Sequence, residues 1–382
     1  MSVKVGFLGI GQCGGNIADI AYQRGFPAYA INTAKEDLYA LSFKHNKMQV
    51  GNTGGAAKDR KVAINELKKT YPQILENVQS WLITESVDIM IITFSTGGGT
   101  GSGMGPVLAR LMKENFNQII VLMPVLPSMD EPVGSQSNSV ECMNNIIPLG
   151  LSTFVIDNNK YMQYLTLNKS KRKLYDGVNS EVLDNIEVLL DNPNKVSKYG
   201  NIDTRDILRI FSTPGFTSMG MLFKDNITDS NMIQHITDTF NKSIYAPLEY
   251  DKRISCAAFI YMCSEKMMEQ FNQDEFYSLM GKPIEVYEGV YDPDDKTIGE
   301  HITIILCGLT FPTTRIQEMI SRVESEREII SSKKDFTKID FDSSWINDAK
   351  DSNRDSNLSY KTTKKKEKID EKQATDIFNE YF

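Results

Sequence analysis

Gly97-Gly98-Gly99-Thr100-Gly101-Ser102-Gly103 places five glycines in seven residues. A backbone stripped of side chains can approach a ligand closely, and its successive N–H groups form an anion cradle. Thr100 and Ser102 add hydroxyl donors. A second run, Gly9-Ile10-Gly11-Gln12-Cys13-Gly14-Gly15-Asn16, has the GxGxxG spacing of a dinucleotide turn. Such a turn expects an acid at the end of the next strand to hold a ribose hydroxyl. Here that strand ends Ile31-Asn32-Thr33, which argues against a nicotinamide enzyme. A third run, Asn52-Thr53-Gly54-Gly55-Ala56-Ala57-Lys58-Asp59-Arg60, is small and then basic. It suits either an ordinary turn before a helix or a cover over a terminal phosphate.

Other chemistry has little to work with. The three histidines, His45, His235 and His301, are far apart, and the five cysteines (Cys13, Cys142, Cys256, Cys263, Cys307) form no CxxC pair. No metal site formed by side chains and no histidine-based nucleophile is expected; free thiols in a reducing cytoplasm are. A net charge of −8 disfavours direct wrapping of nucleic acid. No apolar run approaches 18 residues, so no membrane helix is expected. The chain enters a strand pattern at Val3 without a secretory layout, which again predicts a cytoplasmic protein.

The elements that would carry these loops alternate. Val3–Gly9, Ala28–Thr33, Val87–Phe94, Ile119–Val125 and Thr153–Asp157 read as strands. Gln12–Gln23, Val62–Leu82, Met104–Asn115 and Val140–Ile147 read as helices, with Pro72 expected to break the second in two. Val87–Phe94 is apolar almost throughout, as a strand buried on both faces requires. Strict alternation predicts a doubly wound α/β domain with a parallel sheet. A helix over Leu174–Leu190 follows, ended by Asp191-Asn192-Pro193-Asn194. Mixed strand and helix patterns then predict a smaller α+β domain. From Pro312 a long helix begins, with Ile316, Met319, Ile320, Val323 and Arg327 as its buried stripe. The tail Lys361–Lys372 carries six Lys against three acids and precedes the aromatic Phe378, Tyr381 and Phe382. At 382 residues the division expected is 1–172, a connecting helix 173–194, a second domain 195–311 and a helical tail 312–382.

The string GGGTGSG, residues 97–103, matches the phosphate loop of the tubulin superfamily letter for letter. GQCGGN at 11–16 resembles that family's first nucleotide loop, and AINTAKEDLYAL at 30–41 resembles the second strand and helix of FtsZ. The resemblance spans roughly residues 3–310, and length and tail look most like the plasmid- and phage-borne TubZ branch. It implies a GTP-binding first domain, a second activation domain and a GTPase that forms filaments. Gly11, Gln12, Cys13, Gly54, Gly55, Ala56, Ala57 and residues Gly97, Gly98, Gly99, Thr100, Gly101 and Ser102 would then hold phosphate. Glu131, with Asp130 second, would hold ribose. Asn16, Asn158, Tyr175 and Asn179 would surround guanine, Tyr175 stacking and Asn179 reading an edge from the same helix side.

Asn201-Ile202-Asp203-Thr204-Arg205-Asp206 resembles the family's NxDxxD synergy loop. Its acids, Asp203 and Asp206, would act on the GTP of a neighbouring subunit, with Thr100 completing the site. From residue type alone, Asp203 is also a helix N-cap and Asp206 a first-turn acid. One departure matters: no arginine lies between Glu131 and Lys160, so an FtsZ-like arginine for the γ-phosphate is not assigned. The resemblance further implies Mg²⁺ with GTP or GDP, head-to-tail self-assembly, and a DNA-binding adaptor recruited through the tail to segregate plasmid or phage DNA. A division-type or phage-centring filament is the alternative.

Overall fold

The computed structural model describes residues 3–160, 171–224, 232–292, 299–334 and 371–381. The chain opens with β1 (Val5–Ile10), α1 (Gly11–Gln23), β2 (Ala28–Asn32), α2 (Lys35–Tyr39), β3 (Lys47–Gln49) and α3 (Arg60–Thr84). β4 (Ile89–Ser95), α4 (Thr100–Asn115), β5 (Ile119–Leu126), α5 (Val133–Ile146), β6 (Ser152–Thr153) and β7 (Ile156–Asp157) follow. α6 (Lys171–Asp191) leads to β8 (Ser197–Tyr199), α7 (Thr204–Ser212), β9 (Gly215–Phe223) and α8 (Met232–Lys242). β10 (Cys256–Met262), α9 (Glu265–Gln270), α10 (Gln273–Met280), β11 (Glu285–Tyr291) and β12 (His301–Leu309) complete the second half. α11 (Thr313–Lys334) and α12 (Glu371–Glu380) close the described chain.

The strands join in the order β3-β2-β1-β4-β5-β6-β9-β12-β10-β11-β8, with β7 also on β5. From β3 to β9 every pairing is parallel. β9–β12 and β12–β10 are antiparallel and β10–β11 parallel, so the second half is mixed. The two halves join through Ser152 paired with Gly215 and Thr153 with Phe216, and an isolated bridge links Ile156 to Tyr245. β1 is buried along its whole length and β4 up to its last residue, because helices cover both faces. Neighbouring residues of β4 show it. Thr93 presses on Gly14 of α1, where an added Cβ would lie 2.1 Å from the Thr93 carbonyl oxygen; Phe94 presses on Gly105 of α4, where it would lie 2.8 Å from the ring. α1 leads from β1 to β2 and α4 from β4 to β5, opposite directions along the sheet, so right-handed crossovers place them on opposite faces.

Three local expectations change. Pro72 does not split α3, which runs unbroken from Arg60 to Thr84. Pro72 is exposed, while Ile64 and Leu67 before it and Ile74, Leu75 and Val78 after it are buried. That burial outweighs the roughly 3 kcal/mol cost of an interior proline. Thr153–Asp157 is two short strands on successive stretches of β5 instead of one. Arg327 is exposed and ends outside the buried stripe of α11; Arg315, one turn earlier than Met319, is buried in its place.

The described end of the tail packs against its own chain. Phe378 and Ile377 of α12 are buried, with the Phe378 ring 5.4 Å from that of Tyr71 on α3 and beneath the Lys68 ammonium. Glu380 pairs with Arg110 of α4. The helix therefore folds back onto the α3–α4 face of its own chain. Residues 361–370 of the lysine-rich run and Phe382 lie outside the described residues.

Candidate nucleotide pocket

A cavity of about 460 Å³ opens where β1, β2, β4 and β5 end. That size suits a small ligand of nucleotide dimensions. At one end two helices begin with bare backbone. α1 starts at Gly11 (φ 73°) after Ile10, and α4 starts at Thr100 after Gly99, and neither has a side-chain cap or an acid in its first turn. Their first N–H groups are unmatched within the helices and carry the positive end of each dipole. Gly97, Gly98, Gly99, Thr100 and Gly101 line the same end with Gly11, Gln12, Cys13, Gly55, Ala56, Ala57 and Lys58.

The glycines have different causes. A Cβ on Gly99 would meet Ala56 Cβ at 2.9 Å, on Gly101 the Ser95 carbonyl at 2.8 Å, and on Gly103 the Arg60 carbonyl at 2.7 Å. Those three let segments of the protein approach each other. A Cβ on Gly98 meets nothing within 4 Å, so the bare backbone there serves whatever enters the cavity. Asn138 bridges this loop to the third one, its Nδ2 donating to the carbonyls of Lys58 (2.9 Å), Gly97 (3.3 Å) and Gly98 (3.4 Å). Arg60, buried, donates to the Ser102 carbonyl and pairs with Glu141 at 2.6 Å. The Asn52–Arg60 run thus packs beside the glycine loop and brings Gly55, Ala56, Ala57 and Lys58 to the lining.

Lys58 is the one basic side chain on the lining among the described residues, held 3.2 Å from Ser135 Oγ. It follows Ala57, and both adopt left-handed backbone (φ 48° and 62°), an uncommon conformation for residues with a Cβ. Opposite, Thr33 and Thr100 hydroxyls lie 2.7 Å apart, and Asn32 donates to the Asp37 carboxylate at 2.9 Å. Asn32, Thr33 and Asp37 line the cavity and were not picked out as site residues by motif. Their signal was positional: they follow the second strand, where only a missing acid had been noted.

At the other end Asn16, Glu131, Asn158, Tyr175 and Asn179 converge on the lining. Amides both donate and accept, so three of them around one tyrosine can match a purine base with mixed edges. α6 is oriented by Arg24 at the end of α1, which donates to Asp184 (2.6 Å), Glu187 (3.0 Å) and Ser180 Oγ (2.7 Å). Burial, reinforced by the Glu131 charge, pushes the Cys13 thiol up to about 12, so it stays protonated and inert. Burial raises the Tyr175 phenol as well, with Glu131 and Cys13 adding to it.

Gly54, Ser102 and Asp130 do not line the cavity. Ser102 Oγ turns back to the Gly98 carbonyl, and Asp130 is exposed. Asp203 and Asp206 lie away from this pocket and form a reciprocal cap on α7. Asp203 accepts from the Arg205 and Asp206 N–H groups at 2.7 and 3.0 Å, and Asp206 accepts from the Asp203 N–H at 2.9 Å. Tyr291 OH accepts from Ile202 N–H and donates to Asn201 Oδ1, which fixes the loop before the cap. Among the described residues no group of three or more His, Cys, Asp or Glu could hold a metal ion.

Residues 4–166 match the sequence model of the GTPase domain of the tubulin/FtsZ family. The tubulin-like protein CetZ of Pyrococcus abyssi is 25% identical over 346 residues, 86% of this chain and 92% of that protein. The tubulin-like protein TubZ of a Clostridium botulinum C phage is 31% identical over 184 residues, 46% of this chain and 51% of that protein. Among solved structures, Clostridium botulinum phage c-st TubZ superposes with a TM-score of 0.69 at 21% identity, covering 86% of this chain and 99% of that one. A GTPγS-form protofilament of Bacillus thuringiensis serovar israelensis TubZ gives 0.71 at 16% identity, covering 88% and 94%. The chain therefore has a tubulin-like fold, its residues 4–166 match the GTPase-domain model of the tubulin/FtsZ family, and its homologues include the TubZ and CetZ proteins.

Proposed function

We infer that this protein binds GTP in the cavity at the carboxyl edge of the sheet, assembles head to tail, and hydrolyses the nucleotide only once assembled. The observation that carries the reading is the open face of Gly98 between two uncapped helix starts, in a pocket whose far end gathers three asparagines and a tyrosine. Phosphates lie on Gly11, Gln12, Cys13, Gly55, Ala56, Ala57 and Gly97–Gly101, with Lys58 supplying the cation that the missing arginine would have brought. Glu131 holds the ribose hydroxyls; Asn16, Asn158 and Asn179 read guanine beneath the Tyr175 ring.

Phosphoryl transfer needs positioning and charge stabilisation more than covalent chemistry. Thr100 positions the terminal phosphate. The attacking water is oriented by Asp203 and Asp206 of the next subunit, and their capping box is compatible with this, because it fixes both carboxyl groups on one loop. Large apolar side chains stand exposed around that loop: Val196 (91%), Tyr199 (75%) and Ile284 (85%). Apolar surface of this kind marks a contact, and a contact between unlike faces that does not close gives a filament.

The lining offers two carboxylates, Asp37 and Glu131. That fits Mg²⁺, which usually takes one or two carboxylates and otherwise phosphate oxygens and water. Asp37, which lines the cavity with Thr33 and Thr100, would hold it, since Glu131 is given to the ribose, and the ion would neutralise phosphate charge.

The working division is a nucleotide domain over 1–172, the connecting helix 173–194, a second domain over 195–311 and the C-terminal helices over 312–382. We assign the protein to the cytoplasm and to segregation of plasmid or phage DNA through a DNA-binding adaptor. A filament with a different cargo is the second reading, favoured by the long coverage of CetZ relatives. Electron microscopy with GTP, GDP and a slowly hydrolysed analogue tests assembly. Filaments with GTP and the analogue but not GDP are expected; no assembly with any guanine nucleotide would refute it.

A further inference from the structure

Three consecutive residues at the end of β7 have three different tasks. Asn158 lines the cavity. Asn159 turns the other way, its Oδ1 accepting from Met129 N–H at 3.1 Å. Asp157, 1% exposed, faces neither; it receives Arg315 from α11 at 2.9 Å (Nε to Oδ2) and 3.4 Å (Nη2 to Oδ1). The same guanidinium donates to the Pro127 carbonyl at 2.8 Å and touches Met129 Sδ at 3.0 Å. One buried side chain, 2% exposed, thus clamps the turn that carries Asn158 to the loop that carries Glu131.

Burial of a charge pair is costly, and a cation in the first turn of a helix opposes the dipole. Arg315 sits in that first turn, whose start is held by Glu249 accepting from Thr314 N–H at 2.7 Å. A well-packed apolar residue would serve packing as well. The planar fork of arginine does what an apolar residue does not: it meets a carboxylate and a carbonyl on two loops at once.

We propose that Arg315 is a positioning residue for the nucleoside half of the ligand, setting Asn158 and Glu131 from behind and tying α11 to the occupied pocket. This rests on the GTP-binding reading above. It assigns nothing to the phosphate half, whose loops Arg315 does not touch.

The test compares Arg315→Lys, which keeps the buried charge but loses the fork, with the double variant Asp157→Asn/Arg315→Met, which removes both charges. Binding of GTP and of inorganic tripolyphosphate is measured on each full-length protein by calorimetry, with thermal melting as the check on folding. The expected result is about tenfold weaker GTP binding in both variants, the loss of roughly one hydrogen bond to the ligand, with tripolyphosphate binding unchanged. Equal weakening of both ligands, or native GTP affinity in a folded variant, would overturn the proposal. Should one variant fail to fold, the other decides. Failure of the native chain to bind GTP would instead refute the reading beneath it.

Discussion

Substituting alanine at Gly98 separates fold from ligand more cleanly than any other change in the pocket. The added methyl meets no protein atom within 4 Å, so stability should stay within about 0.5 kcal/mol of native. The same methyl occupies the surface on which phosphate oxygens must settle, and displaces at least one charge-assisted N–H bond of about 1.5–3 kcal/mol. That corresponds to a loss of roughly 10- to 150-fold in affinity. Gly105→Ala is the control: its methyl would stand 2.8 Å from the Phe94 ring, costing about 1–3 kcal/mol of stability as overpacking while leaving the pocket unobstructed. The assay is titration with a fluorescent GTP analogue beside denaturant unfolding of each variant. If Gly98→Ala binds as tightly as the native chain, the ligand does not lie on this loop and the reasoning fails.

Asp203→Asn keeps an efficient N-cap and removes the charge. Unchanged melting and GTP binding are expected, with turnover in assembled protein at least about tenfold slower; native turnover would leave Asp203 as a cap alone. Glu181 on α6 has its pKa raised to about 7 by burial, with Asp184 adding to it. A folded pKa above the unfolded value near 4.3 means that stability present at low pH is lost as pH rises through 7. Glu181→Gln should therefore gain about 1–2 kcal/mol at pH 8 after allowance for solvent screening and little at pH 4, by denaturant unfolding; an equal gain at both would refute the assignment. Phe378→Ala should release α12, seen as lost amide protection over 371–380 with α3 and α4 unaffected; retained protection would show that the ring does not hold the helix.

The parallel half of the sheet was legible because its strands are buried on both faces and so are apolar almost throughout, as at Val87–Phe94. The glycine-lined end of the cavity was legible because close approach leaves a mark that sequence displays, glycine. Where an outcome turned on burial or on which partner a side chain takes, near or distant in sequence, the pattern was silent. Pro72 stays in a helix because Leu67 and Val78 are buried on either side of it. Ser102 is withdrawn from the cavity by the Gly98 carbonyl, which motif spacing does not encode. Arg315 read as one polar residue near a helix start; its partner Asp157 lies 158 positions away. Lys58 appeared in a basic run, but only folding brought its side chain to the lining.

The account stands most directly on the dependence of GTP turnover per molecule on protein concentration, with sedimentation followed in parallel. On the proposal that the acids come from a neighbour, turnover should be negligible at low concentration and rise steeply at the concentration where protein begins to pellet. A turnover per molecule that stays constant across that range would contradict it, since each chain would then carry a complete site of its own.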